Sequence, residues 1–194
     1  MENWAGYLQE LTVGGRGLTV TNREGHALST DDGFSAWVET THQTHARGGS
    51  LYVIGNGGSA GIASHMAEDA CKNAGLRALA FNDPAFLTAI ANDEGFDCVF
   101  STPLERHARP GDLLISISSS GNSPNVVKAL EAAPRLGISV ITLSGFDASN
   151  RSRAMGDLNF YWAQRRYGWV ECGHQVVMHF WLDQYLNTYG QGAI

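Results

Sequence analysis

The chain has 194 residues, 43% of them hydrophobic and 16% charged, which is enough for one domain with a substantial core. A formal net charge of −6, with 13 Lys plus Arg and no basic run, excludes a nucleic-acid groove built on clustered cations. No apolar stretch approaches the length of a bilayer span, and Met1-Glu2-Asn3-Trp4 lacks the basic and apolar regions of a signal peptide, so a soluble cytoplasmic protein is expected.

Residues 1–49 are expected to form a helical segment ahead of the core, with the glycine-rich run Val13-Gly14-Gly15-Arg16-Gly17 interrupting any early helix. From residue 50 short apolar runs alternate with longer amphipathic stretches, the pattern of a parallel sheet covered by helices on both faces. The expected strands are residues 51–54, 77–81, 112–117, 138–143 and 158–162. Helices are expected near 59–73, 84–92, 96–107, 124–136, 149–155 and 171–187. The fold class is therefore α/β, a three-layer sandwich around a five-stranded parallel sheet, with residues 50–187 as its core.

Two of the strand-to-helix connections are unusual. Gly55-Asn56-Gly57-Gly58-Ser59 follows the apolar run Leu51-Tyr52-Val53-Ile54, and Ser118-Ser119-Ser120-Gly121-Asn122-Ser123 follows Leu113-Leu114-Ile115-Ser116-Ile117. Each would aim backbone N–H groups and hydroxyls at an anion on a helix N-terminus, and together at the carboxyl edge of one sheet they can share a small phosphorylated ligand. Gly55-x-Gly57-x-x-Ala60 also fits a relaxed dinucleotide fingerprint, with Asp83 near the place of its ribose-binding acid, so a nucleotide-binding alternative stays open.

The flanking helices add titratable groups. His65 and Asp69 are four residues apart after the first loop, with Glu68 beside them, and Glu171, Gln175 and His179 fall at four-residue steps near the C-terminus. Two histidines and two carboxylates can hold a divalent metal or serve as acid and base; equally, the histidines can be satisfied core residues and the acids helix-surface groups. Cys71, Cys98 and Cys172 are odd in number and lack CxxC spacing, so buried free thiols are expected.

Four segments in order, Gly55-Asn56-Gly57-Gly58-Ser59, Ala89 to Phe96 with Asn92-Asp93 at its centre, Gly111-Asp112-Leu113-Leu114-Ile115, and Ile117 to Val126, resemble the phosphoheptose isomerases of the sugar isomerase (SIS) superfamily. The resemblance covers residues 50 to 187. It implies a flavodoxin-like strand order and a sugar-phosphate substrate, with phosphate on Ser118, Ser119, Ser120 and Ser123 and sugar beside Asn56, Gly57, Gly58, Ser59, Asn92 and Asp93. It further implies an enediol mechanism with catalytic residues among Asp69, His179 and Glu171, zinc on His65, Asp69, Glu171 and His179, and a homotetramer with sites between subunits. The chain departs from the family near the chemistry. Asp69 stands where the family has Glu, Glu171 where it has Gln, Gly168 where it has Asp, and Asn73 where it has Arg. A retuned isomerase and a non-catalytic sugar-phosphate-binding module are therefore both compatible with the resemblance.

Overall fold

The computed structural model describes residues 3–190. Its sheet has seven strands: β1 (Thr19–Asn22), β2 (Ala27–Leu28), β3 (Leu51–Gly55), β4 (Ala78–Ala80), β5 (Leu113–Ser118), β6 (Ser139–Ser144) and β7 (Leu158–Tyr161), in the order β2-β1-β7-β6-β5-β3-β4. Strands β3 to β7 pair in parallel in the flavodoxin-like order expected from the resemblance. The two additional strands are a short hairpin, whose β1 joins β7 antiparallel from Thr19↔Tyr161 to Asn22↔Leu158. At four and two residues they carry too little alternation to stand out in a segment expected to be helical.

Strand side chains alternate between two apolar layers. Leu51, Val53, Leu113, Ile115 and Ile117 face one, with α2 (Thr30–Ala46), α3 (Gly58–Ala74) and α7 (Tyr167–Tyr189). Tyr52, Ile54, Leu114 and Val140 face the other, with α4 (Pro84–Asp93), α5 (Ser101–His107) and α6 (Pro124–Leu136). In the first layer Trp37 and Trp181 stack at 4.9 Å between centroids, and Trp181 Nε1 donates to Thr41 Oγ1 at 3.1 Å.

The helix α1 (Trp4–Arg16) does end within the glycine-rich run, with Gly17 as its C-cap, after passing through Gly14 and Gly15. Gly14 is buried against Trp162, and a Cβ on it would run into the indole Nε1, so this glycine serves packing. Three expectations are corrected. The helix expected over 96–107 is divided into a 3₁₀ turn at Phe96–Cys98 and α5, and only a 3₁₀ turn, Ser152–Ala154, occupies 149–155. The thiols are free, but Cys71 and Cys172 are exposed and Cys98 is half-buried, with Lys128 Nζ 3.0 Å from its sulfur.

His174 on α7 is 2% exposed, with Nε2 3.2 Å from the Ser144 carbonyl oxygen. That acceptor requires the proton on Nε2, and burial holds the imidazole neutral by lowering its pKa to about 4. An unfolded chain takes the proton near pH 6.5, so stability is intact above that value and falls as pH drops from 6.5 towards 4, by about 3 kcal/mol in all. Urea unfolding of the parent at pH 7 and pH 4.5 should show this loss, and His174→Gln should remove that part of the slope. An unchanged slope in the variant would show that His174 is not the group responsible.

Candidate active site

The last β3–β5 register pair is Gly55↔Ile117, so the two loops leave adjacent strands side by side. Gly57 turns the first loop into α3 at φ 55°, ψ −123°, a conformation that needs glycine, and no side chain caps the helix there. In the second loop the hydroxyls of Ser118 and Ser120 accept the N–H groups of Gly121 and Asn122, each at 3.2 Å. Ser123 is the N-cap of α6 but makes no capping bond, whereas Asn3, Ser29 and Asp83 all accept one at their helices. Its hydroxyl is left for another partner.

Between the loops lies a cavity of about 240 Å³. Asn56, Gly57, Gly58 and Ser59 line it from one loop, Ser118, Ser119, Ser120 and Ser123 from the other, and Tyr167 and Glu171 from α7. Among the described residues no Lys or Arg lines it, so hydroxyls and helix N-termini are the groups offered to an anion. Asn92 and Asp93 are not brought to it. They sit exposed at the end of α4, where Asn92 Nδ2 donates to Asp93 Oδ1 at 2.7 Å. Asp83 caps α4 by accepting the Phe86 N–H at 2.9 Å, which gives the acid of the nucleotide alternative a structural duty instead.

The four residues expected to share a metal divide in two. His65, Asp69 and His179 come together, each with a donor atom within 4.8 Å of the others. His65 Nε2 is 3.0 Å from Asp69 Oδ2, Asn73 Nδ2 donates to Asp69 Oδ1 at 3.1 Å, and the His65 and His179 rings meet edge to face at 5.4 Å. Glu171 does not join them. Its carboxylate lies over the first residue of α3, where a Cβ on Gly58 would fall 2.6 Å from Glu171 Oε2. The one-turn step from Glu171 to Gln175 to His179 thus spans two places: the cavity at one end and the His–Asp cluster at the other. Gly168, a turn before, leaves room for Tyr7 of α1, whose hydroxyl would be 2.6 Å from a Cβ there. An aspartate at that position would collide with it.

Two imidazoles and one carboxylate, with no fourth donor joining them among the described residues, fit the ligand pattern of a zinc site that keeps an open position. Inorganic phosphate binding, read by calorimetry, tests the serine loop separately. Ser123→Ala should weaken it on the order of 1 kcal/mol through loss of one hydrogen bond. Because the cap bond is absent, the melting temperature should stay where it is, unlike the usual loss of a capping serine. Unchanged affinity would remove Ser123 from the cradle.

Comparison with known proteins accords with this arrangement. The SIS domain family model matches residues 26–145. The chain is 39% identical over 151 residues to the phosphoheptose isomerase of Chlorobaculum parvum, covering 74% of this chain and 72% of that protein. It is 40% identical over 152 residues to that of Trichlorobacter lovleyi, covering 75% and 77%. Among solved structures, the phosphoheptose isomerase of Neisseria gonorrhoeae superposes with a TM-score of 0.80 at 31% identity, over 93% of this chain and 96% of that one. With the parallel strand order, the paired loops and these matches in agreement, the chain belongs to the phosphoheptose isomerase family of SIS-domain enzymes.

Proposed function

We propose that this isomerase converts sedoheptulose 7-phosphate to a heptose 7-phosphate through an enediol, with Glu171 as the base at carbon. The observation that carries the reading is the Glu171 carboxylate beside Gly58, in the same cavity as the serine loop. The phosphate end of the substrate lies on Ser118, Ser119, Ser120 and Ser123, and the sugar runs towards Asn56, Gly57, Gly58 and Ser59. Glu171 takes the proton from carbon 1 of the ketose as the oxygen on carbon 2 gains a proton, giving the enediol. It returns the proton to carbon 2 as the hydroxyl on carbon 1 gives up its own, which leaves the aldose. One proton thus passes from carbon 1 to carbon 2 and one from O1 to O2. A carboxylate in a cavity without Lys or Arg would repel the phosphate, so its work is at the other end of the ligand.

His65, Asp69 and His179 hold a zinc ion in this reading. Bound there, zinc would supply a Lewis acid to an oxygen of a substrate that extends along α7 past Glu171, since His65, Asp69 and His179 do not line the cavity between the loops. Asp69 and His179 then act as ligands, and the long carboxylate that the family carries on the first helix has its counterpart on the last. This exchange accounts for the two departures at 69 and 171 as one change. Asn92 and Asp93, exposed and away from the cavity of their own protomer, are available to a neighbour's site in a homotetramer with sites between subunits.

The experiment is an NMR isomerisation assay on sedoheptulose 7-phosphate, coupled to metal analysis of the same samples. Glu171→Gln should lower turnover by about two to four orders of magnitude while leaving metal content and phosphate binding unchanged. His65→Ala should lose the metal. Activity that survives in Glu171→Gln would return the base to Asp69. A parent that binds the sugar phosphate without turning it over would favour the binding module, a reading for which the specific observation is that both Asp69 oxygens are already engaged by His65 and Asn73.

A further inference from the structure

Beyond the last backbone pair of β3 and β5, one side-chain contact joins the two loops. Asn56 Nδ2 donates to Asn125 Oδ1 at 2.9 Å, and Asn125 Nδ2 donates back to Asn56 Oδ1 at 2.8 Å. The partners are 69 residues apart in sequence, Asn56 in the glycine loop and Asn125 in the first turn of α6. Asn125 is 2% exposed, and its Oδ1 also accepts the Val126 N–H at 2.9 Å. That backbone donor fixes which end of the Asn125 amide is oxygen, and the reciprocal pair then fixes the Asn56 amide in turn. Turning either amide over would oppose two NH₂ groups.

We infer that Asn125 is a positioning residue, which holds the glycine loop at a set distance from the serine loop so that one ligand meets both. Asn56 is set by it: one proton and one lone pair of its amide are engaged by Asn125, which fixes the orientation of that amide, and of Gly57 and Gly58 after it, at the wall of the cavity. A buried reciprocal amide pair suits this duty because each partner satisfies the other without adding charge beside a phosphate. The inference rests on the proposed function only in taking the cavity as the sugar-phosphate site.

The test is a double-mutant cycle on Asn56→Ala and Asn125→Ala, read by calorimetry with sedoheptulose 7-phosphate and, separately, with inorganic phosphate. Each single variant should weaken binding about tenfold, and the double variant should be no weaker than either single, because both remove the same clasp. Additive losses would mean that Asn56 touches the ligand itself and would overturn the inference, as would unchanged affinity in Asn125→Ala. A parent that binds inorganic phosphate but not the heptulose phosphate refutes the proposed substrate while the cycle is still read on phosphate. A parent that binds neither overturns both. A further readout needs no variant: followed by nitrogen-15 NMR in the parent, the Asn56 side-chain amide should keep its shift and its slow exchange when the ligand is added. Loss of both on binding would show the amide turning to the ligand.

Discussion

Adjacent parallel pairing of β3 and β5 is the constraint on which the site depends. In a flavodoxin-like order the chain reverses its direction of travel across the sheet between these two strands, and their following helices lie on opposite faces, α3 over one apolar layer and α6 over the other. Loops that must part to reach opposite faces leave a crevice between them, the usual place for a ligand in an open α/β sheet. The ladder ends at Gly55↔Ile117, so nothing in the backbone pairing beyond that point keeps the crevice at one width. The Asn56–Asn125 amide pair does so.

The second support comes from the loop after β6. Asn150 is buried, and its amide donates to Ser144 Oγ and to the carbonyls of Gly145 and Asp147, while Ser152 donates its hydroxyl to the Gly121 carbonyl at 2.8 Å. The serine loop is therefore tied on one side to the glycine loop and on the other to the connection after β6. Preorganisation of this kind matters more for hydroxyl donors than for lysines, since a neutral hydrogen bond contributes little unless its geometry is already set.

Much of this was legible in the sequence because local chemistry and fold agree there. Apolar runs of four to six residues ending in glycine or serine loops gave the strands and the two loops that line the cavity, and the four-residue steps on α3 and α7 gave the titratable groups on the flanking helices. The failures share a cause, in that tertiary contacts decided what local signals could not. Gly14 reads as a helix breaker until Trp162 is seen packed on it. Asp83 reads as a ribose ligand until its capping bond is seen. Glu171 reads as a metal ligand by its register with His179, yet the structure lays its carboxylate over Gly58, apart from the group that His65, Asp69 and His179 form. Asn125 lies in the Ile117–Val126 segment that carries the family resemblance, but its pairing with Asn56 gave no signal, because nothing in a sequence pairs two asparagines 69 residues apart.

The departures from the family are coupled by the same geometry. A glutamate at 171 lies over the start of α3 only because residue 58 is glycine, and the space it enters is continuous with the cavity between the loops. The acid at 69, one methylene shorter than the glutamate of the family, is held in place by His65 and by Asn73, so its second oxygen meets a neutral donor. The net result keeps one carboxylate with the two histidines and one in the cavity. In the proposed reading, Asn73 puts a neutral donor on Asp69, so a cation placed among His65, Asp69 and His179 would meet no fixed positive group on that carboxylate other than His65 itself.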